Sequence, residues 1–452
     1  MRRKRRITIV LVSLLASAIF GTAAVAAGTS KSKQHPAAAL DSSFGKAGTV
    51  ALGRGYQIYG AATQPDAKVV VGDRQSRAGV RLVVARLTAA GRLDPSFNHG
   101  HVELGPPQKS GGSIGRAVAI QHDGNILVAG VLTDRTAVAQ DGMLVERFTK
   151  NGGLDRRFGS AGTATLLPGT GQSATAALAV QGDGKIIVAG NGPGSDGLPH
   201  MALARLDTRG RPDLGFAVKG VRIADGSQDL GREGTAAAVA LQAGGKIVIA
   251  GSARPDLQVS NAVVARFTSR GQLDRSFGSA GSFVVPGAVE GGAEAVFRAV
   301  SLATDGGIVA AGAATSDGAT PAFALAVRLS NNGHPVSSFG RRGIVALGSD
   351  HGSTPSSALP GANATALARG GAVVLAGSFA DSGMTEVALW SLNPHGSVIN
   401  AGSTRTLLST SLGAGSANAL AIDPMGRLVV AGASNNFVAF NGLVLRYRGF
   451  GR

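Results

Sequence analysis

The chain contains no cysteine, and this absence excludes several kinds of protein. Without thiols there is no disulfide framework, no thiolate zinc or iron–sulfur site, no cysteine nucleophile and no lipidated cysteine anchor. Aromatic residues make up only 4% of the 452 residues and charged residues 16%, and the charged share is below the roughly 25% of an ordinary soluble domain. Because 44% of the residues are hydrophobic, the composition is not that of a disordered chain, and stability must come from packing.

Glycine, by contrast, is abundant, with 68 residues. It follows no Gly-X-Y period, which excludes collagen. Instead it separates short runs rich in Val, Ile and Leu, a pattern typical of short strands joined by many tight turns.

The N-terminus has the layout of an export signal. Basic residues occupy positions 2–6, an uncharged apolar run extends from Ile7 to about Ala27, and Ala24-Val25-Ala26 forms a small-x-small exit. This predicts a signal peptide at residues 1–26 and a linker at 27–39. An uncleaved signal anchor is the alternative, since about 20 apolar residues can span a bilayer. Both place the remainder outside the cytoplasm, so we expect a secreted or extracellular protein, free or associated with the cell envelope.

A motif of the form Leu-Asp-x-Ser-Phe-Gly recurs with a period near 60 residues. It begins at residues 40, 93, 154, 212, 273, 335 and, much decayed, 398. The repeats are therefore placed at 40–92, 93–153, 154–211, 212–272, 273–334, 335–397 and 398–452. Such a period, sought before any other feature, indicates a propeller or a solenoid.

Each period holds four short apolar runs, for example Thr163 to Leu167, Ala176 to Gln181, Lys185 to Gly190 and Met201 to Leu206. Asp183-Gly184 joins the second and third of these as a tight hairpin. The run after each hairpin ends in glycine, at Gly72, Gly130, Gly190, Gly251, Gly312, Gly377 and Gly432. Four strands in each of seven repeats predict an all-β fold, a seven-bladed β-propeller of four-stranded antiparallel blades spanning 40–452.

One strand is left over at each end of the repeat array. Thr49 to Leu52 precedes the first complete unit, while Leu443 to Tyr447 ends the last unit without a following strand. We expect the N-terminal strand to complete the last blade, which removes exposed strand edges. An open array or two half-rings is the alternative.

The Leu-Asp-x-Ser-Phe-Gly motif, the glycine-ended runs and the Ala-Arg-Leu strings at 85–87 and 204–206 together resemble the delta-60 repeat family. The resemblance covers about residues 40 to 450. It implies an exported bacterial protein with a β-propeller-like fold. It implies no shared enzymatic activity, and so no catalytic residues carry over.

A set of arginines precedes the motif aspartates by eight residues. The pairs are Arg86 with Asp94, Arg147 with Asp155, Arg205 with Asp213, and Arg266 with Asp274. Ring closure would bring Asp41 to Arg446, which has no aspartate downstream. We interpret these as buried, bidentate ion pairs within each blade rather than as a ring of ligand-binding arginines, because Ser391 and Ile399 replace both partners together. Arg328 faces Val336, and the sequence offers no partner for it.

The length variation falls in the loops at the end of the ring opposite the hairpins and the motif. Variable loops on a rigid scaffold are the usual binding surface. At that end Tyr56, Tyr59, Phe437, Phe440 and Arg54 form a candidate docking patch. The alternative is that these residues seal the junction between the first and last blades.

The search for catalytic, cofactor and metal sites is negative. Gly111 to Gly115 matches G-x-S-x-G but lies between strands rather than at a strand-to-helix turn. The eight His are scattered, no cofactor fingerprint appears, and the aromatic and basic residues are not interleaved as in nucleic-acid binders. Carboxylate pairs assembled from different blades remain open, with Glu103, Asp229, Glu233, Glu290, Glu294 and Glu386 as candidates.

Two functions are consistent with these observations. The first is an exported, non-catalytic and monomeric scaffold that presents the variable loop face to a protein or an anionic cell-envelope polymer, with no cofactor, no nucleic-acid partner and no membrane contact beyond an uncleaved anchor. The net charge of +17 falls to +12 once the five basic residues of the signal are subtracted, and it suits the anionic polymer. The second function is an extracellular hydrolase or lyase with its site at the central channel.

Overall fold

The computed structural model describes residues 39–448, apart from 67, 76–80, 101–102, 105–111, 134–139, 168–171, 225–229, 232, 256–258, 288–293, 316–321, 348–360, 382–383, 400–413 and 436–439. The predicted signal peptide and nearly all of the predicted linker lie outside the described residues and stay predictions. In the described part of the chain no helix is long and apolar enough to cross a membrane.

The described residues form 28 strands, β1 to β28, and three single-turn 3-10 helices. In chain order the strands are Ala39–Leu40, Thr49–Arg54, Tyr56–Thr63, Val69–Gln75, Arg81–Leu87, Glu103–Leu104, Gly112–Ile120, Ile126–Thr133, Gln140–Phe148, Thr163–Leu166, Gln172–Val180, Ile186–Pro193, Pro199–Leu206, Val221–Ile223, Glu233–Leu241, Ile247–Arg254, Asn261–Phe267, Ser282–Val285, Ala295–Leu302, Ile308–Thr315, Ala322–Leu329, Ile344–Leu347, Gly361–Leu367, Val373–Asp381, Met384–Leu392, Ala414–Ile422, Leu428–Asn435 and Phe440–Arg448. The 3-10 turns are Asn98–Gly100, Ala243–Gly245 and Arg369–Gly371.

These strands build seven antiparallel blades, which confirms the predicted all-β seven-bladed propeller. Blades 1 to 5 are β3–β6, β7–β10, β11–β14, β15–β18 and β19–β22, and blade 6 shows β23–β25. The run that the sequence predicts as its fourth strand lies outside the described residues. First strands of adjacent blades lie side by side, so the first strand of each blade is innermost.

Blade 7 is assembled from both ends of the chain. Strands β26, β27 and β28 come from the C-terminus, and β2 pairs with β28 as the fourth strand, with Thr49 opposite Leu445. The two-residue strand β1 also pairs with β28, placing Leu40 opposite Tyr447. The leftover N-terminal strand thus occupies the position that the sequence pattern predicts for it.

The hydrophobic core is divided into seven clusters, and each cluster lies between two neighbouring blades. Between blades 3 and 4, for example, Leu203 and Phe216 pack with Ile249 and Val263. Between blades 7 and 1, Val429 and Val444 pack with Val69 and Phe44. Blade-to-blade packing therefore continues across the point where the chain ends meet.

The motif residues join each blade to the next at the corner, which we define as the segment between the third and fourth strands of a blade. In blade 3, Arg205 Nε lies 2.8 Å from Asp213 Oδ2, and the guanidinium lies 4.7 Å from the centre of the Phe216 ring. Arg205 Nη1 donates a 2.6 Å hydrogen bond to the carbonyl of Ser269, in the corner of blade 4. We call this arrangement the corner clasp.

The backbone completes the clasp. Ala217 N donates to the carbonyl of Arg270 in the next blade. Gly271 has φ +80°, and a Cβ there would lie 2.7 Å from the Phe216 ring. Glycine is therefore needed both for the turn and for the close approach of the ring.

The same contacts recur around the ring. Guanidinium Nη1 donates to the next blade from Arg86 to Lys150, Arg147 to Thr208, Arg266 to Asn331 and Arg446 to Ala89. The ring contacts are Arg86 with Phe97, Arg147 with Phe158, Arg266 with Phe277 and Arg446 with Phe44. Arg328 has no aspartate but keeps the bond to the next blade, at 3.0 Å to the carbonyl of Pro394, which explains why an arginine persists there.

One expectation about these pairs needs correction. Each aspartate contacts the arginine of its own blade, but the pairs are not bidentate: Arg446 Nε and Nη2 both contact Oδ2 of Asp41. The other oxygen, Oδ1, accepts hydrogen bonds from the Ser43 amide and hydroxyl. A bidentate pair would need Oδ1 as well as Oδ2, and Oδ1 is already occupied by the hydrogen bonds from Ser43 in the same corner.

Most clasp aspartates also contact a second cation, from the strand after the hairpin. Lys68 Nζ lies 3.2 Å from Asp94, Lys185 2.9 Å from Asp213 and Lys246 3.4 Å from Asp274. Burial acts to raise the pKa of Asp94, but hydrogen bonds from Ser96 and Lys68 and the charge of Arg86 outweigh it and lower the pKa to about 2.

One core position breaks the repeat pattern. Glu146 in β9 is fully buried and occupies the place that Ala85, Ala204 and Ala265 hold in blades 1, 3 and 4. Burial raises the pKa of Glu146 to about 8.

We predict that Arg205→Ala lowers the free energy of unfolding by about 3–5 kcal/mol, because it removes one of the two cations that contact Asp213 and the bond to Ser269 in the next blade. Thermal and denaturant unfolding measure this. Arg209→Ala is the matched control, since Arg209 is exposed in the same corner. Equal melting temperatures for the two variants would contradict the clasp.

We also predict that Glu146 makes stability depend on pH. Its folded pKa of about 8 lies above the value of 4.5 expected when unfolded, so the folded state binds the extra proton. The stabilisation is complete below about pH 4.5 and is lost as the pH rises through 8. Glu146→Gln should remove this decline in melting temperature between pH 5 and 9, whereas Glu233→Gln should not. If the melting temperature of Glu146→Gln declines with pH as much as that of the unchanged protein, the Glu146 carboxyl is not neutral in the folded state.

Candidate functional site

Each innermost strand carries a β-bulge, and the bulges bring seven side chains to the same level around the ring. In each blade one residue lies between two register positions. These residues are Tyr59, Arg116, Ala176, Ala237, Arg298, Asn363 and Asn418. We call this set the bulge ring; bulges commonly re-aim a side chain at functional positions.

The bulge explains the glycine at the end of the apolar run after each hairpin, which lies within the second strand. Gly251 pairs with Ala236 immediately before the bulge, and a Cβ on Gly251 would collide with the carbonyl of Thr235. The same holds for Gly130, Gly312, Gly377 and Gly432. In blade 1 the residue at this position is Asp73, which pairs with Ile58, and Gly72 pairs with Gly60.

Polar side chains form one arc of the bulge ring, from blade 5 to blade 7. Arg298 Nη1 donates to Asn363 Oδ1 at 3.1 Å, and Asn363 Nδ2 donates to the carbonyl of Ala417 at 2.9 Å. Asn418 Nδ2 then donates to the carbonyl of Ile58 in blade 1, at 2.8 Å. Each side chain thus reaches the neighbouring blade.

The arc continues into blades 1 and 2 through an aromatic ring. The Arg116 guanidinium lies 4.7 Å from the centre of the Tyr59 ring, and the Tyr59 hydroxyl donates to Gln57 Oε1. Blades 3 and 4 contribute only Ala176 and Ala237. The bulge ring therefore has a polar, cationic side and a side of small residues.

Neither guanidinium in the bulge ring makes an ion pair within the described residues. Arg116 has the Tyr59 contact, and Arg298 has its bond to Asn363. Burial lowers the pKa of Arg298, and the charge of Glu294 acts in the opposite direction. Half-buried guanidiniums without a carboxylate partner suit an anionic or hydroxyl-rich ligand.

The structure separates the residues of the predicted docking patch. Arg54 ends β2 opposite Asn441, next to Phe440, and Tyr56 begins β3 at the same seam between blades 7 and 1. Tyr59 lies deeper, in the bulge ring. Phe437 lies outside the described residues, and only the backbone of Phe440 is described.

Two of the carboxylate candidates that the structure describes lie close together. Arg254 links Glu233 at 3.5 Å to Glu294 at 3.1 Å, across blades 4 and 5. Glu103 belongs to an outermost strand, Glu386 is half-buried in the third strand of blade 6, and Asp229 and Glu290 lie outside the described residues. The seven innermost strands, as described, contain one carboxylate, Glu233, and no His.

The remaining motifs carry no chemistry in the described structure. Ser113 of the G-x-S-x-G match lies buried within β7, and its hydroxyl accepts a hydrogen bond from the Leu82 amide. Among the described residues no group of three His, Asp or Glu side chains is placed to hold a metal ion.

The sequence reasoning missed the bulge ring, although a signal was present. Aligning the repeats on the hairpin that follows the first strand places Tyr59, Arg116, Arg298, Asn363 and Asn418 in one column with two alanines. Polar residues in a column of small ones mark positions that packing alone does not explain.

Comparison with known proteins supports the fold. Residues 64–97, 181–216 and 242–277 match the family described as "Domain of unknown function (DUF5122) beta-propeller". No curated protein matches the chain.

Solved structures of similar shape have low sequence identity. A Dyadobacter fermentans protein of unknown function has 12% identity and a TM-score of 0.44, covering 89% of this chain and 100% of that one. The β-propeller domain of the trilobed protease from Pyrococcus furiosus has 8% identity and a TM-score of 0.43, covering 88% and 95%. The polysaccharide lyase Uly1 has 9% identity and a TM-score of 0.48, covering 89% and 99%. These values support no functional inference. Together, the family match and the seven blades show that the chain is a β-propeller repeat protein.

Proposed function

We propose that the chain is an exported, non-catalytic scaffold that binds an anionic cell-envelope polymer or a protein at the loop end of the ring and in its channel. The observation that carries the proposal is the bulge ring, where two guanidiniums, two amides and a tyrosine are fixed by bonds between blades. These groups recognise ligands through hydrogen bonds and charge, and of the five only the Tyr59 hydroxyl belongs to the usual general acids and bases.

The charge of the bulge ring favours a ligand with carboxylate or phosphate groups. Arg116 and Arg298 face no carboxylate within ion-pair distance among the described residues. A guanidinium binds planar oxyanions through two parallel hydrogen bonds, a geometry that a lysine does not provide. The seam residues Arg54 and Tyr56 extend the same chemistry to the loop end.

The alternative, an extracellular hydrolase or lyase, depends on Glu233 and Glu294. Both carboxylates contact Arg254, Glu233 at 3.5 Å and Glu294 at 3.1 Å, so each already has a cation as its partner. For these two residues the geometry therefore favours a structural ion pair over catalysis.

Binding to polygalacturonate and to poly(glycerol phosphate), measured by calorimetry with the full chain, tests the proposal. We expect Arg116→Gln to weaken binding about tenfold and Arg369→Gln, an exposed change at the other end of the ring, to leave it unchanged. Melting temperatures check that both variants fold.

The same samples are assayed for new reducing ends and unsaturated products. Turnover that Glu233→Gln abolishes would establish the enzyme instead. If neither polymer binds and pull-down from envelope extract recovers no protein that depends on Arg116, the scaffold proposal fails.

A further inference from the structure

The two ends of the ring differ in composition. Because strands within a blade alternate in direction, the hairpin after the first strand and the corner after the third lie at the same end. We call this end the corner face. It is the end opposite the variable loops, and it is described almost completely.

On this face the aspartates of the corner clasps are buried, whereas many arginines and lysines of the corners are exposed. Asp41, Asp94 and Asp155 are 1–4% exposed, and each contacts an arginine. The exposed basic residues of the corners are Lys46, Arg92, Lys150, Arg156, Arg157, Arg209, Arg211, Lys219, Arg270, Arg275, Arg341 and Arg342. The one corner aspartate outside the clasps, Asp207, accepts the amides of Arg209 and Arg211. The hairpins of the same face add four exposed aspartates, Asp66, Asp123, Asp183 and Asp305. The twelve exposed basic residues of the corners outnumber these acids, so the face is cationic.

Large apolar side chains project from the same face. Five such residues are exposed in the described structure, and four of them lie there: Leu93 at 41%, Leu214 at 76%, Val218 at 76% and Met425 at 70%. The fifth, Val284 at 43%, belongs to an outermost strand, β18. Single exposed apolar residues are common on protein surfaces, but here four of the five lie at the cationic end of the ring. This concentration at one end points to a contact surface.

The corner of blade 3 combines both properties most closely. Leu214 and Val218 lie in one corner with Arg209, Arg211 and Lys219. Other blades hold Pro95, Arg156, Arg275 or Ser337 at the position of Leu214, so the Asp-to-Phe spacing of the motif does not require an apolar residue there.

We propose that the corner face docks onto a bilayer that contains anionic lipids. The arginines and lysines bind lipid phosphates, and Leu214 and Val218 enter the boundary between headgroups and acyl chains. A soluble polyanion would use the basic residues but has no use for the apolar ones, and this difference favours the bilayer. The inference does not depend on the bulge ring, which lies midway along the innermost strands.

The absence of cysteine makes the test specific. In the full chain, Leu214→Cys carries a single environment-sensitive nitrobenzoxadiazole label on the corner face, and Val284→Cys carries it on the rim as the matched control. Each is titrated with vesicles of phosphatidylcholine alone or with phosphatidylglycerol at about two to one. The label reports its own position, so binding through the apolar N-terminal segment does not imitate the signal.

We expect a blue shift at position 214 with anionic vesicles only, no shift at 284, and reversal at high salt. In the Leu214→Cys background, Arg209→Gln, Arg211→Gln and Lys219→Asn together should raise the lipid concentration for half response between about tenfold and a hundredfold. Arg54→Gln, at the loop end, should have no effect, and melting temperatures check folding.

A shift that is equal at 214 and 284, independent of phosphatidylglycerol, or absent would overturn the proposal. So would soluble polyphosphate that binds the face while anionic vesicles leave the label at 214 unchanged. A failure of polymer binding at the bulge ring would not affect the bilayer proposal.

Discussion

The fold depends on a guanidinium buried between two blades. In each corner clasp the arginine binds an aspartate of its own blade, stacks on a phenylalanine and donates to a carbonyl of the next blade. Arg266 and Arg446 are only 1% exposed. A buried charge is tolerated when its hydrogen bonds are satisfied, and each clasp satisfies them from two blades at once. Removing the arginine or the aspartate of a clasp therefore weakens the interface between two blades as well as the turn within one blade. At Asp41 and Arg446 the same contact joins residues 405 positions apart.

A second constraint comes from the bulge in every innermost strand. The bulge brings the first strand against the second so closely that only glycine fits there in five blades, and it also re-aims one side chain in each blade. These glycines and the bulge ring thus have one cause. The fold itself requires no particular side chain at the bulge, since alanine occupies this position in two blades. Polar or aromatic residues occupy it in the other five.

The sequence predicts the parts of the fold that repeat. The motif positions of Asp213 and Phe216 recur in the other repeats at a fixed spacing, and this recurrence predicts the blades. Ser391 and Ile399 replace the arginine and the aspartate together, and this joint replacement predicts the ion pair. The sequence does not show that Arg205 also donates to Ser269, because the acceptor is a backbone carbonyl, which any residue could supply. Glu146 likewise needs the three-dimensional register before its replacement of a core alanine is apparent. The bulge is equally hidden in the sequence, and it places Tyr59 in the bulge ring, apart from the other residues of the predicted docking patch.

The most direct test of the clasp is a double-mutant cycle on Asp41 and Arg446, with Asp94 and Arg86 as the reference pair. Both pairs share the contact between arginine Nε and aspartate Oδ2, at 2.9 Å for Arg446 and 2.7 Å for Arg86, but one joins the two ends of the chain and the other lies within one stretch of it. Unfolding free energies of Asp41→Ala, Arg446→Ala and the double variant give the coupling. If the clasp closes the ring, the coupling is on the order of 2–3 kcal/mol for both pairs. Additivity within about 0.5 kcal/mol at Asp41 and Arg446, with coupling retained at Asp94 and Arg86, would contradict it.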